Sequence, residues 1–85
     1  MNIKVLGPGC ARCQELEKTV REVVTALKLN IKVEDIKDMN QIMQYSIMSK
    51  PGLVINEKVV MSGKVPTRVE VERLIMNALA SEEAR

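Results

Sequence analysis

The residues best suited to chemistry are Cys10 and Cys13, separated by Ala11 and Arg12 and preceded by Gly7-Pro8-Gly9. From Ala11 onward, Leu16, Val20, Val23, Val24 and Leu27 recur in steps of three and four, which predicts an amphipathic helix over 11–29. Cys10 then stands at the helix tip and Cys13 one turn in. A helix N-terminus carries about half a positive charge and unpaired N–H groups, both of which favour a thiolate over a thiol. Cysteines in such settings fall from about 8.5 to roughly 3.5–7.5. Residues i and i+3 share a helix face with Cβ atoms about 5–6 Å apart, so modest adjustment joins their sulfurs. The exposed Cys10 is expected to attack first, and the more buried Cys13 to resolve the mixed disulfide. Arg12 adds to the thiolate preference if it folds back, whereas Glu15 and Glu17 oppose it.

The same pair suits other chemistry. Two thiolates satisfy soft Cu(I), so a thiophilic metal carrier is the competing reading. A closed Zn site normally needs four ligands, and the chain has 2 Cys and no His. A third reading is a partner-binding domain whose association follows the redox state of the pair. The bland reading is two small core residues. The absence of His also removes imidazole general-base catalysis.

The elements that must hold the dithiol follow from the same patterns. Asn2–Leu6 alternates and reads as a strand. Ile31, Val33 and Ile36 mark a second strand. Asp38 followed by Gln41 resembles a capping box opening a helix to about Ile47. Leu53–Ile55 and Lys58–Met61 read as a hairpin around Asn56-Glu57. Glutamate disfavours positive φ compared with glycine, so a turn other than the primed type is expected there. Thr67 and Glu70 form a second capping box before a helix carrying Val71, Leu74, Ile75, Ala78 and Leu79. Ser81–Arg85 is expected to fray. The order is βαβαββα: an α/β domain with a mixed four-stranded sheet, its first two strands parallel through a right-handed crossover, and helices on both faces.

Size and composition agree with one domain over 1–85, with an ordered core of about 2–80. Folded and unfolded areas scale to roughly 5,000 and 13,800 Å², so about 63% of the surface can be buried. Hydrophobic residues make up 46% and charged residues 28%, which argues against disorder. Net charge is +2 with no basic block, and Tyr45 is the single aromatic, so nucleic-acid binding is not indicated. No stretch approaches the ~18 apolar residues of a membrane span, and the short N-terminal apolar run is not a signal peptide. A cytoplasmic monomer is expected, in a compartment where paired cysteines are catalytic or metal-binding more often than structural. Of the 6 Met, most are expected to fill gaps in a core without Phe or Trp.

The junction Gly7-Pro8-Gly9-Cys10-Ala11-Arg12-Cys13, the element order and the stretch Met48–Asn56 together resemble the thioredoxin-like superfamily. The resemblance is greatest to its very small archaeal and bacterial members, called redox-active disulfide protein 2 or glutaredoxin-like thioredoxins. It spans Ile3 to about Leu79. It implies a minimal thioredoxin fold without the usual first strand and helix. It also implies dithiol–disulfide exchange with protein disulfides, an upstream disulfide reductase, and no cofactor beyond the disulfide itself. Pro51 corresponds to the proline that faces the dithiol with a cis bond, presenting the backbone of the preceding residue to substrate. That residue is usually Thr and is Lys50 here; as a cation it would favour the Cys10 thiolate or acidic partners. Gly52 stands where Ala is more usual, leaving the groove wall slightly open. Ala11-Arg12 matches neither the Gly-Pro of thioredoxins nor the Pro-Tyr of glutaredoxins. Thioredoxins keep a buried Asp beneath the dithiol, and Ile3–Leu6 offers no acid, so Glu15, Glu17 or solvent must accept the proton. Ser62-Gly63-Lys64 is a weak match to a glutathione site.

Overall fold

A computed structural model of the chain describes residues 2–45, 47 and 50–83. The elements run β1 (Asn2–Leu6), α1 (Ala11–Ala26), β2 (Lys32–Ile36), α2 (Met39–Met43), β3 (Gly52–Ile55), β4 (Lys58–Ser62) and α3 (Arg68–Glu83). The sheet order is β2-β1-β3-β4. β1 pairs with β2 in parallel, while β1–β3 and β3–β4 are antiparallel.

Strand alternation divides the core between the two faces. Ile3, Val5, Leu53 and Ile55 point to one side and pack with Leu16, Val20 and Val23 of α1 and Val71 and Ile75 of α3. Leu6 and Val54 point to the other, where Ile42 of α2 covers them with Ile36, Tyr45 and Ile47. Helices therefore lie on both faces, as the apolar pattern predicts.

The strand directions set the polarity of the molecule. β1 and β2 end, and β3 begins, at one edge: Leu6 pairs with both Ile36 and Gly52. β4 ends there too, since Ser62 pairs with Gly52. The loop 7–10 leaves from this edge.

Several local expectations are corrected. α1 ends at Ala26 rather than Leu29. Lys28 adopts φ 56°, and its N–H reaches Thr25 O at 3.1 Å while Leu29 N–H reaches Val24 O at 3.1 Å. This pair of bonds is a Schellman closure with lysine in the place glycine usually takes. α2 closes at Met43, well short of Ile47. Asp38 does cap it, accepting from Asn40 N–H at 2.8 Å. α3 continues to Glu83, so Ser81 is helical rather than frayed; the expectation for Ala84 and Arg85 lies outside the described residues. Thr67 and Glu70 exchange the reciprocal bonds of a capping box, each at 3.3 Å.

The hairpin turn is also corrected. Asn56 and Glu57 both have positive φ, 53° and 66°, the primed geometry that suits strand twist. Glu57 tolerates it because its carboxylate is held by three partners: Lys4 Nζ at 2.9 Å, Tyr45 OH at 3.1 Å and Asn2 Nδ2 at 3.2 Å. The Tyr45 hydroxyl and the Glu57 carboxylate hold the Lys4 ammonium well above its ordinary range. Lys4, then Tyr45, in turn hold Glu57 below the usual carboxylate range.

The methionines depart from the core-filler reading. Met39, Met43 and Met76 are 41%, 68% and 53% exposed, and Met61 alone packs at the core margin among the described methionines. Met1 and Met48 lie outside the described residues.

Candidate functional site

β1 delivers the chain to the dithiol through Gly7-Pro8-Gly9. Gly7 is anchored as a continuation of the sheet, its N–H donating to Ile36 O at 2.9 Å. Gly9 turns the chain with φ 99°, where an L side chain is strained. Its carbonyl accepts from Gln14 Nε2 at 3.0 Å, which ties the turn to the helix it opens.

Cys10 is the N-cap of α1, with extended backbone (φ −67°, ψ 165°). Its carbonyl accepts from Gln14 N–H at 3.0 Å. Its Sγ accepts from Cys13 N–H at 3.2 Å, the position a serine or aspartate oxygen takes in an ordinary cap. The first turn of α1 carries no acidic residue, so nothing there offsets the positive helix end. Cys10 is exposed and Cys13 is 3% exposed. The two form a disulfide with Cα atoms 5.0 Å apart. Pro8 and Ala11 are exposed at its margin.

The opposite wall is the start of β3 and the loop after β4. The Lys50–Pro51 peptide is cis, and Pro51 is buried. Pro51 O accepts from Gly63 N–H at 2.9 Å. Gly63 O accepts in turn from Arg12 Nη2 at 3.4 Å. Arg12 therefore reaches across to the loop, linking the dithiol helix, Gly63 and Pro51 in one chain of hydrogen bonds. Lys50 is exposed, and its ammonium sits 3.3 Å from Met39 Sδ.

Three positions carry more of the site than their sequence signals suggest. Gly7 reads in sequence as a chain breaker. In the fold a Cβ there would overlap Cys13 Sγ and lie 2.7 Å from Cys13 Cβ, so glycine makes room for the buried sulfur. Gly63 belongs to the Ser62-Gly63-Lys64 stretch, and here it bridges Arg12 and Pro51. Gly52 does not leave the wall open, because Ile47 Cδ1 and Leu6 Cδ1 stand 3.1 and 3.5 Å from where its Cβ would be. Gly7 meets Cys13 only when β1 packs on α1, and Gly63 meets Pro51 and Arg12 only through tertiary hydrogen bonds, so local pattern carries no signal for these contacts.

Beneath Cys13 no buried polar or charged side chain is found among the described residues. Glu17 is engaged by Arg21 Nε at 3.1 Å, and Glu15 is exposed. No group of three or more His, Cys, Asp or Glu side chains converges among the described residues. No helix in them is long and apolar enough to cross a membrane.

Comparison with known proteins agrees with this arrangement. The thioredoxin-domain family model matches residues 1–76. A thioredoxin of Methanothermobacter thermautotrophicus is 36% identical over 75 residues, covering 88% of this chain and 97% of that protein. A probable thioredoxin of Archaeoglobus fulgidus is 32% identical over 80 residues, covering 91% and 87%. A thioredoxin of Methanocaldococcus jannaschii is 25% identical over 77 residues, covering 91% and 88%. With a minimal βαβαββα sheet, a helix-tip disulfide and a family match over nearly its full length, this chain belongs to the thioredoxin family.

Proposed function

We propose that this protein is a small thiol–disulfide oxidoreductase that exchanges its Cys10–Cys13 pair with protein disulfides. The observation that carries the reading is the asymmetry of the pair: an exposed Cys10 whose sulfur caps a helix, joined to a Cys13 that is 3% exposed. In the reducing direction, the Cys10 thiolate attacks one sulfur of a substrate disulfide. A Cys10–substrate bond forms, and the other substrate sulfur leaves as a thiolate. Cys13, deprotonated to solvent, then attacks Cys10 Sγ. The Cys10–Cys13 bond forms, and the second substrate thiolate departs. Two electrons pass to the substrate, and the two leaving thiolates take protons from water. An upstream disulfide reductase restores the dithiol.

In this reading Pro8, Gly9, Ala11 and Arg12 shape the surroundings of the dithiol, and Lys50 and Pro51 meet the substrate chain. The pair itself is the only redox group required. The protein acts as a monomer in the cytoplasm, without nucleic acid or membrane.

The test is a redox titration of metal-free protein in defined dithiothreitol buffers, read by alkylation and mass. A reversible two-electron transition between about −300 and −120 mV is expected. Cys13→Ser should accumulate a mixed disulfide through Cys10. Trapping through Cys10→Ser instead would reverse the two roles. Absence of a disulfide across that window, with tight Cu(I) uptake, would reassign the pair to thiophilic metal carriage.

A further inference from the structure

We propose that the dithiol edge selects protein disulfides flanked by acidic side chains. The inference rests on the exchange reaction proposed above and names its substrate class. It starts from strand polarity. The turn 7–10, the residues after β2, the start of β3 and the loop after β4 all lie at the edge where Leu6, Ile36, Gly52 and Ser62 meet. In segments 7–13, 37–38, 50–51 and 63–67 the charged residues are Arg12, Lys37, Lys50 and Lys64 against Asp38 alone. Beyond Cys13, α1 adds an exposed Glu15, a Glu17 paired with Arg21 at 3.1 Å, and Lys18, so the cationic excess belongs to the loops at this edge.

These charges differ in how far they are offset. Lys37 pairs with Asp35 at 3.5 Å and Lys64 with Glu70 at 3.8 Å, both lysines 63% exposed. Asp38 caps α2. Arg12 and Lys50 have no carboxylate partner among the described residues; they rest on Gly63 O and Met39 Sδ. Arg12 lies between the two cysteines and reaches Gly63 O, Gly63 N–H bonds Pro51 O, and Lys50 precedes Pro51, so both cations belong to the wall that these bonds tie to the dithiol helix. An incoming disulfide with carboxylates beside its cysteines would find these two cations without carboxylate partners among the described residues. A peptide fits this better than nucleic acid, because the cations share an edge with an exposed sulfur and the chain's single aromatic, Tyr45, lies on the α2 face bonded to Lys4.

Single-turnover reduction tests the proposal. The protein is reduced, freed of reductant, and mixed with disulfide-closed peptides identical except for Glu, Gln or Lys beside each Cys. Two electrons from the dithiol reduce each peptide, and conversion is read by alkylation and mass. At low ionic strength the Glu peptide should react about tenfold faster than the Gln peptide, and the Lys peptide slower still. At about 0.5 M salt the ratio should fall to within about twofold. The Arg12→Gln/Lys50→Gln double variant should lose the Glu-to-Gln preference, and Arg12→Lys/Lys50→Arg should keep it. Equal Glu and Gln rates at low salt, or a preference that survives the double glutamine variant, would overturn the proposal while leaving exchange intact. Reduction of none of the peptides would overturn the exchange reading and the proposal with it. Binding of a DNA oligonucleotide at low salt, with no rate difference among peptides, would overturn it in favour of a general polyanion surface.

Discussion

Replacing Gly7 with alanine isolates the packing behind Cys13. Gly7 does not depend on glycine for its φ, since it is absent from the positive-φ residues. Its N–H is fixed to Ile36 O at 2.9 Å, so the backbone cannot easily retreat. The added methyl lies 2.7 Å from Cys13 Cβ and overlaps Cys13 Sγ. Overpacking of this kind costs about 1–3 kcal/mol. The Cβ overlap is common to both redox forms, but the Sγ overlap is not. In the disulfide, Sγ is tethered to Cys10; in the dithiol it can rotate away. The methyl should therefore penalise the oxidised form more and raise the reduction potential. Because the Cβ overlap is shared, the full about 1–3 kcal/mol sets a ceiling of about 20–65 mV on the upward shift, since 30 mV corresponds to about 1.4 kcal/mol. Potential is measured in dithiothreitol buffers, and stability by urea unfolding of each redox form. The loss of stability should be larger for the oxidised protein, and the difference should match the potential shift around the thermodynamic cycle. Equal losses in the two forms with an unchanged potential would refute the reasoning, because the cost would then lie in the backbone and not against the sulfur.

Other substitutions separate the remaining local arguments. Gly52→Ala meets only the far ends of Ile47 and Leu6, the nearer at 3.1 Å, and should change unfolding free energy by less than about 1 kcal/mol, in contrast to Gly7. Lys28→Gly removes a side chain from φ 56° and should stabilise the fold by about 1 kcal/mol in urea titration. Thr67→Ala removes the acceptor for Glu70 N–H at 3.3 Å and should cost about 1 kcal/mol at neutral pH. The Thr67 backbone N–H, helped by Lys64, holds the Glu70 carboxyl below its ordinary 4.5, so its contribution is present above that value and lost as pH falls through the lower folded one. The stability gap between wild type and Glu70→Ala should accordingly narrow on titration from about pH 6 to about pH 3, and a gap that is constant or widens would contradict the cap assignment.

What the sequence discloses and what it hides follow the range of the forces. Ile3 and Val5, Leu16, Val20, Val23 and Val24, and Val71 and Ile75 announce their elements because apolar period reflects burial directly, and all are buried in one cluster. Cys10 and Cys13 are legible because an i, i+3 pair at a strand-to-helix junction is a local pattern. Lys28 and Glu57 are not legible: each occupies a left-handed conformation that its own side chain disfavours. Helix-end hydrogen bonds hold Lys28, while contacts from Asn2, Lys4 and Tyr45 hold Glu57. The short α2 is hidden in another way: Asp38 and Gln41 announce where a helix starts but not where it stops, and it closes at Met43 with only Ile42 buried in it. Gly7 is read correctly as a breaker, but its approach to Cys13 exists only once β1 and α1 are packed.

The polarity of the sheet has a practical corollary. Asn2 begins β1 at the edge remote from Cys10, where it bonds to Glu57 of the hairpin turn. The later turns of α3 lie beside the same end, with Asn77, Ala78 and Ser81 lining a groove shared with Ile55 and Asn56. The start of β1 and the later turns of α3 therefore lie at the end remote from the reactive sulfur. A tether attached at Asn2 or at Ser81 would start on the side opposite the dithiol. The fold is thus suited to being grafted as a redox head onto another scaffold, with the hairpin turn at 56–57 as a third attachment point on the same blind side.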